Sequence, residues 1–356
     1  MSTQDQAPTK NRKSEPGQKR KAPWQPSRRT MLIGGGAIAG GGALALAAAI
    51  WTHRDQSLRT FVNTSKSESV AFVPDGTAVS GNLDDITQWN LTTGNVVRSL
   101  PVQNLINSIA VAADGRTLLS GGGSHLVLWN LTNGTVIWPL EEHANSIQSV
   151  ALVPNTLTAL SGGFDDNVKQ WDLVTGNVIE TITGGPGIHS ETKVGTVYSI
   201  AVTPNGRIAL SGNYYGGLCL LELSSGNLIR KIDTSNKGDY QKGIVLSLAC
   251  APNGTTVLSG SQDNEIKQWD LSTGNLIRVF RGHTGGVSAV AVSPDGRTIL
   301  SGSWDGTLKL WDLATASLIR TFTGHQAEVS SVVIAPDGRT ALSGGSDRTL
   351  KLWQLS

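Results

Sequence analysis

Six tryptophans, Trp89, Trp129, Trp171, Trp269, Trp311 and Trp353, recur inside a shared frame, and Leu221 takes the same slot in the one long gap between them. The chain is therefore built from seven repeats. Each opens with an alternating apolar run, reaches a turn such as Pro294-Asp295-Gly296, and continues through a Ser-Gly pair to the tryptophan. Alternation with a period of two, bounded by turn residues, predicts strands rather than helices. The turn recurs as Pro74-Asp75-Gly76, Ala113-Asp114-Gly115, Pro154-Asn155, Pro204-Asn205-Gly206, Pro252-Asn253-Gly254 and Pro336-Asp337-Gly338. Proline there fixes φ, Asp or Asn caps locally, and glycine permits φ > 0. The serines of the pair are Ser80, Ser120, Ser161, Ser211, Ser259, Ser301 and Ser343. A second turn, as in Thr273-Gly274-Asn275, usually follows the tryptophan, so each repeat predicts four short strands.

Successive marker positions lie 40, 42, 50, 48, 42 and 42 residues apart. That length suits four-stranded propeller blades and exceeds most helical solenoid repeats. Trp171-Asp172, Trp269-Asp270 and Trp311-Asp312 close strands, and Gly282-His283 and Gly324-His325 place their histidines 28 residues before Trp311 and Trp353. On these residues the chain resembles the WD-repeat (β-transducin-like) family. The expected fold class is all-β, a seven-bladed WD-repeat β-propeller, with an apolar helix near the N-terminus.

His143 also lies 28 residues before its tryptophan, with Glu142 where the family has glycine. The resemblance implies a buried hydrogen-bond chain in three blades: His143/Ser161/Asp165/Trp171, His283/Ser301/Asp305/Trp311 and His325/Ser343/Asp347/Trp353. Chemistry supplies the reason. An indole N–H only donates, a hydroxyl can accept and pass on a proton, and an imidazole can do the same toward a carboxylate. An unpaired buried donor would cost about 1–3 kcal/mol. In the fourth repeat Leu221 replaces Trp, with Tyr215 at the Asp slot and Lys193 at the His slot, and no chain is required. Blades one, two and five hold about Asn63, Val102 and Gln241 at the His slot and should be looser. A Ser, a His and an Asp together also match the catalytic trio of acyl transfer. An active site is built once, however, whereas this set recurs at blade period and ends on an indole that needs an acceptor.

The seventh repeat supplies three strands. The missing one is expected at 57–62, because Ser57-Leu58-Arg59-Thr60-Phe61 matches the outer-strand text Ser317-Leu318-Ile319-Arg320-Thr321-Phe322. This N-terminal outer strand would close the ring and pair otherwise open edges. The domain boundaries expected are a basic polar tail at 1–30, an apolar signal or anchor segment at 31–51, a linker at 52–56 and the propeller at 57–356.

The tail carries eight Lys/Arg against Asp5 and Glu15, a net +6, so the rest of a chain of net +2 carries −4. A mildly acidic body makes no case for nucleic-acid binding. Arg28-Arg29-Thr30-Met31-Leu32, followed by an uncharged Gly/Ala-rich stretch, resembles a twin-arginine export signal, with Arg28 and Arg29 as its signature pair. The same stretch also reads as a transmembrane helix with a basic flank, since about 20 residues span a bilayer. Both readings put the basic flank inside and the propeller outside, on the periplasmic side of a bacterial-type envelope. Ala47-Ala48-Ala49 offers a cleavage site, but the apolar stretch exceeds the usual secretory core, which favours retention as an anchor.

Cys219 and Cys250 lie in strands of blades four and five, where an exported location would permit a disulfide; Cys250 sits where blade six has Val292, which favours a buried free thiol. No Cys/His cluster has metal-ligand spacing, so no metal or cofactor is expected, and His53, His125 and His189 are read as isolated surface residues. What remains is the face bearing the His loops and hairpin turns, on which the family commonly docks proteins. There Phe164, Tyr214 with Tyr215, and Trp304 precede or occupy the Asp slot of blades three, four and six. Exposed aromatics are favoured interface anchors, although packing against neighbouring loops would explain them equally. Insertions at 184–196 and 234–243 border the same face. The function expected is a non-enzymatic scaffold, exported or membrane-tethered, that binds protein partners and no small-molecule substrate. The alternative is an extracytoplasmic small-ligand receptor or enzyme using the propeller channel. It needs convergent carboxylates, metal ligands or a nucleophile at one blade edge, and the sequence holds no singular set of that kind.

Overall fold

The structure is a computed structural model and describes residues 55–102, 104–140, 143–183, 195–234 and 243–356. Segments 1–30 with Arg28 and Arg29, 31–51 and the start of 52–56 lie outside the described residues, as do His53, His189, Lys193, Gln241 and most of the two insertions. No helix among the described residues is long and apolar enough to cross a membrane.

Seven antiparallel four-stranded sheets follow one another along the chain. Blade one runs from its inner strand Ser67–Phe72 through Thr77–Asn82 and Asp85–Asn90 to its outer strand Val96–Pro101. Five further blades repeat this order. The inner strand of each blade packs on that of the next, and the seventh, Val329–Ile334, packs on the first, which closes a ring. In the seventh blade the outer place is taken by Arg59–Val62, paired antiparallel with Thr349–Gln354 in the register Arg59↔Leu352 to Val62↔Thr349. The closing strand therefore comes from the segment its sequence selected. Lys351, 3% exposed, adds Nζ contacts to Thr60 Oγ1 at 2.8 Å and Asp55 Oδ2 at 2.5 Å.

Local chemistry accounts for the strand ends. Gly76, Gly115, Gly206, Gly254, Gly296 and Gly338 all have φ between +67° and +83° in the turn after the inner strand. In blade three Thr156 occupies the glycine slot, and the positive φ moves one residue back, to Asn155 at 60°. A β-branched residue resists that conformation and Asn tolerates it.

The core is a stack of layers between blades, not one centre. Phe61 of blade seven packs with Val70, Ala78 and Trp89 of blade one, and Leu300, Leu308 and Phe322 of blade six with Val329, Val332 and Trp353 of blade seven. This nearest-neighbour arrangement is typical of repeat architectures. The Gly of each Ser-Gly pair lets the next blade approach. A Cβ on Gly162 would fall 2.7 Å from Val197 Cγ1, and one on Gly302 2.6 Å from Val329 Cγ1.

Two further seams tie blades together. Ser69, Ser108, Ser149, Ser199, Ser247 and Ser331 on the inner strands each accept the backbone N–H of the next blade, at Ile109, Val150, Ile200, Leu248, Val290 and Val70, over 2.9–3.3 Å. Blade six has Ala289 at this position, and there Ser288 Oγ donates instead to the carbonyl of Val329. At the outer rim Arg98 Nη2 donates to Thr132 O at 3.1 Å, and Arg230 Nη1 and Nη2 to Thr273 O and Ser272 O at 2.9 Å, each in the following blade.

Candidate functional site: the hairpin-turn face

Antiparallel connectivity puts the loops entering each blade and the hairpins between its second and third strands at one end of the strands. The three hydrogen-bond sets sit there, just below the surface. In blade three Trp171 Nε1 donates to Ser161 Oγ at 2.8 Å, His143 Nε2 lies 2.6 Å from that oxygen, and His143 Nδ1 lies 2.8 Å from Asp165 Oδ2. Blade six repeats the set through Trp311, Ser301, His283 and Asp305 at 2.9, 2.8 and 2.8 Å. Blade seven does so through Trp353, Ser343, His325 and Asp347 at 2.8, 2.6 and 2.9 Å.

The partners fix the protons. An ionised carboxylate only accepts, so His Nδ1–H donates to Asp; a neutral imidazole then accepts the serine proton at Nε2, and the serine lone pair receives the indole N–H. Each aspartate also accepts the N–H of the residue after its histidine, Ala144, Thr284 or Gln326. Burial opposes ionisation of Asp305 and Asp347, but the histidine bond, the backbone amide and Thr307 or Thr349 outweigh it. The carboxyls are held well below their ordinary value, and Asp165 shifts the same way beside His143. Ser161, Ser301 and Ser343 are each 0% exposed. A serine oxygen enclosed in this way presents no nucleophile to a substrate, so these sets act as internal braces.

The other blades depart from the pattern in distinct ways. In blade one Ser80 Oγ accepts from Trp89 at 3.0 Å and donates to Asn63 Oδ1 at 3.3 Å. In blade five Ser259 accepts from Trp269 at 2.9 Å, while nearby Lys267, 3% exposed, is paired to Asp263 at 2.5 Å. In blade four Leu221 is fully buried in the tryptophan slot. In blade two Ser120 accepts from Trp129 at 2.8 Å, and a cavity of about 290 Å³ lies where the imidazole would be. Both thiols are free, and burial pushes Cys219 up to about 11 and Cys250 up to about 12. His125 is not a plain surface residue: it is half-buried, with Nδ1 3.0 Å from Asn104 Nδ2.

The structure brings three of the four candidate docking residues together and adds one. Phe164 meets Tyr198 at 5.3 Å between ring centroids, Tyr198 stacks on Tyr214 at 6.3 Å and 26°, and Tyr214 meets Tyr215 edge-on at 5.2 Å and 85°. The run crosses from blade three to blade four. Tyr214 is 37% exposed, and Phe164 and Tyr215 are half-buried. Tyr198, on the inner strand Val197–Val202, was not singled out from sequence because it continues an ordinary alternation. Its signal is comparative, since the same slot holds Gln148 and Ser288 in blades three and six. Burial, then Tyr214, raises its phenol.

Trp304 stands apart on blade six, 40% exposed, and lies on the loop that enters the blade. A Cβ on Gly286 would fall 2.7 Å from its Cε3. Its other side borders a groove of about 660 Å³ with Gln326, Glu328 and Ser346. Ser346 Oγ is buried there without a hydrogen-bond partner. Among the described residues no group of three or more His, Cys, Asp or Glu could hold a metal ion.

A closed ring of four-stranded blades, braced by Trp–Ser–His–Asp chains on one face, defines a repeat propeller. The family described as WD domain, G-beta repeat matches residues 94–130, 134–172, 231–270, 274–312 and 316–354. These matches cover more than half the chain, which belongs to that family. No curated protein matches it significantly.

Proposed function

We propose that the protein is a non-enzymatic scaffold that binds protein partners on the hairpin-turn face. The observation that carries this reading is the continuous aromatic run Phe164–Tyr198–Tyr214–Tyr215. Partly exposed rings held by one another are rigid anchors that lose little entropy on binding, and anchors of this type dominate interface energetics. Trp304 beside its groove supplies a second anchor, with Gln326, Glu328 and Ser346 as polar rim. The twin-arginine-like pair Arg28/Arg29 and the uncharged stretch 31–51 support export or membrane tethering, with the propeller outside the cytoplasm.

Crosslinking in native cells, followed by mass spectrometry, tests the docking face by comparing wild type with a Phe164/Tyr214/Trp304→Ala variant of unchanged melting temperature. A partner captured by wild type and lost from the variant is the expected result. Identical partner lists overturn the assignment of the face. Fractionation and protease accessibility of an Arg28→Lys/Arg29→Lys variant test export separately. Unchanged location of the propeller would remove the twin-arginine reading.

A further inference from the structure

Blade two breaks the pattern in a way that creates a site. Its histidine slot holds Val102, and its hairpin is one residue shorter, since Ser120 and Trp129 are nine apart where the pairs in blades three, six and seven are ten apart. Among the described residues no imidazole or carboxylate of blade two takes the His and Asp slots that are filled in those three blades, and the cavity of about 290 Å³ reaches the base of the brace. Its floor is Ser120, 1% exposed, and Trp129, 6% exposed. Ser120 Oγ receives the Trp129 N–H at 2.8 Å. Its own proton meets no acceptor among the described residues, whereas in blade one the equivalent proton goes to Asn63, in blade five it is directed at the Lys267 carbonyl at 3.5 Å, and in blades three, six and seven it goes to a histidine. The walls are apolar, from Val102, Ile106, Val127, Val136 and Pro139, with Asn104 and His125 on one side.

We propose that this cavity binds a small, neutral heteroaromatic molecule of one or two fused rings, whose ring nitrogen accepts the Ser120 proton in the histidine's place. Three features set that class. Among the described residues the lining includes no Asp, Glu, Lys or Arg, so a charged ligand would lose its hydration without a partner. The deepest polar group is a donor in need of an acceptor, which selects a pyridine- or imidazole-type nitrogen over an N–H. The volume exceeds that of one imidazole and lies near the lower bound of about 300 Å³ for ligand pockets. The site is separate from the aromatic run on blades three and four, so the docking reading and this one stand or fall independently.

Benzimidazole and indole are the matched probes for the full-length protein, because they share a shape and only benzimidazole carries a ring acceptor. Titration calorimetry should give saturable benzimidazole binding with a dissociation constant of about 1 mM or tighter, within reach of a ligand of this size. Indole should bind about tenfold more weakly, the upper range for one net hydrogen bond. Ser120→Ala should weaken benzimidazole to the level of indole, and Val102→His, which restores the side chain that fills this slot elsewhere, should abolish binding. If Val102→His does not fold, Val136→Trp at the mouth serves the same end, since Val136 is 47% exposed and tolerates the change. Three results would each overturn the proposal: no saturable binding up to about 10 mM, equal affinity for indole, or binding that survives the mouth or slot substitution.

Discussion

Replacing Ser301 by alanine removes one oxygen and strands two buried groups, the Trp311 Nε1–H at 2.9 Å and His283 Nε2 at 2.8 Å. The same change at Ser120 strands one, the Trp129 Nε1–H at 2.8 Å. Volume change and loss of hydroxyl desolvation are nearly equal at the two sites, because both serines are buried, at 0% and 1% exposure. The difference therefore isolates the histidine link. Each stranded group costs about 1–3 kcal/mol, so Ser301→Ala should lose about 2–6 kcal/mol and Ser120→Ala about 1–3 kcal/mol. Ser80→Ala should fall between them, since its second partner, Asn63 Oδ1, is at 3.3 Å. Reversible urea unfolding with a common m-value gives the three numbers directly. At about 2 °C per kcal/mol for a domain of this size, melting temperatures give the same order. Equal losses at Ser301 and Ser120, within about 0.5 kcal/mol, would refute the argument that the histidine chain adds stability beyond the Trp–Ser bond.

Four further outcomes follow from the same geometry. Phe61→Ala, at a residue 2% exposed in the closing strand, should destabilise the protein by about 3–5 kcal/mol, and deleting 57–62 should lower the melting temperature of the whole ring; an unchanged melting curve would refute the closure. Gly162→Ala should cost about 1–3 kcal/mol by driving a methyl against Val197 and Ile200 at 2.7 and 2.8 Å, as chemical denaturation would record. Ala289→Ser restores the missing member of the inner serine seam and should gain about 0.5–1.5 kcal/mol, and unchanged stability in urea unfolding would refute the reading of this seam as incomplete. Asp165, Asp305 and Asp347 have carboxyls held below their unfolded values, so their contribution is full above about pH 4 and is lost as pH falls through the folded values. An Asp305→Asn/Asp347→Asn variant should show a shallower acid limb in stability against pH, and an unchanged limb would exclude these pairs as its source.

The sequence was most legible where chemistry leaves a residue few substitutes. An indole N–H needs an acceptor at a fixed place, and the resemblance to WD repeats implied Ser161, Ser301 and Ser343 with their histidines and aspartates, which the structure brings within 2.6–2.9 Å of one another. Asn63 was expected only to leave a looser blade, and the structure shows its amide oxygen accepting the Ser80 proton at 3.3 Å. Contacts between blades were not legible one at a time. Ser149 and Ile200 are 51 residues apart, and neither has a local signature. Comparing slots across repeats would have exposed the serine seam and its Ala289 gap, as well as Tyr198 among smaller, non-aromatic residues. The consequence of Val102 was hidden for another reason: a missing side chain leaves a trace in sequence, but whether neighbours collapse into the space is decided by packing.

The strand Arg59–Val62 has a consequence beyond closure. It joins partners separated by 291 residues, as Thr60 and Lys351 are, so the ring must stay open until nearly the whole propeller has been made. The same strand is the link to everything before residue 55, and Gln56 leaves beside Thr323 at the seam between blades six and seven. A pull on the N-terminus would meet first the contacts of Asp55 with Lys351 and of Gln56 with Thr323, and then the four residues that latch the circle. Mechanical load from that end and fold integrity thus meet at one point.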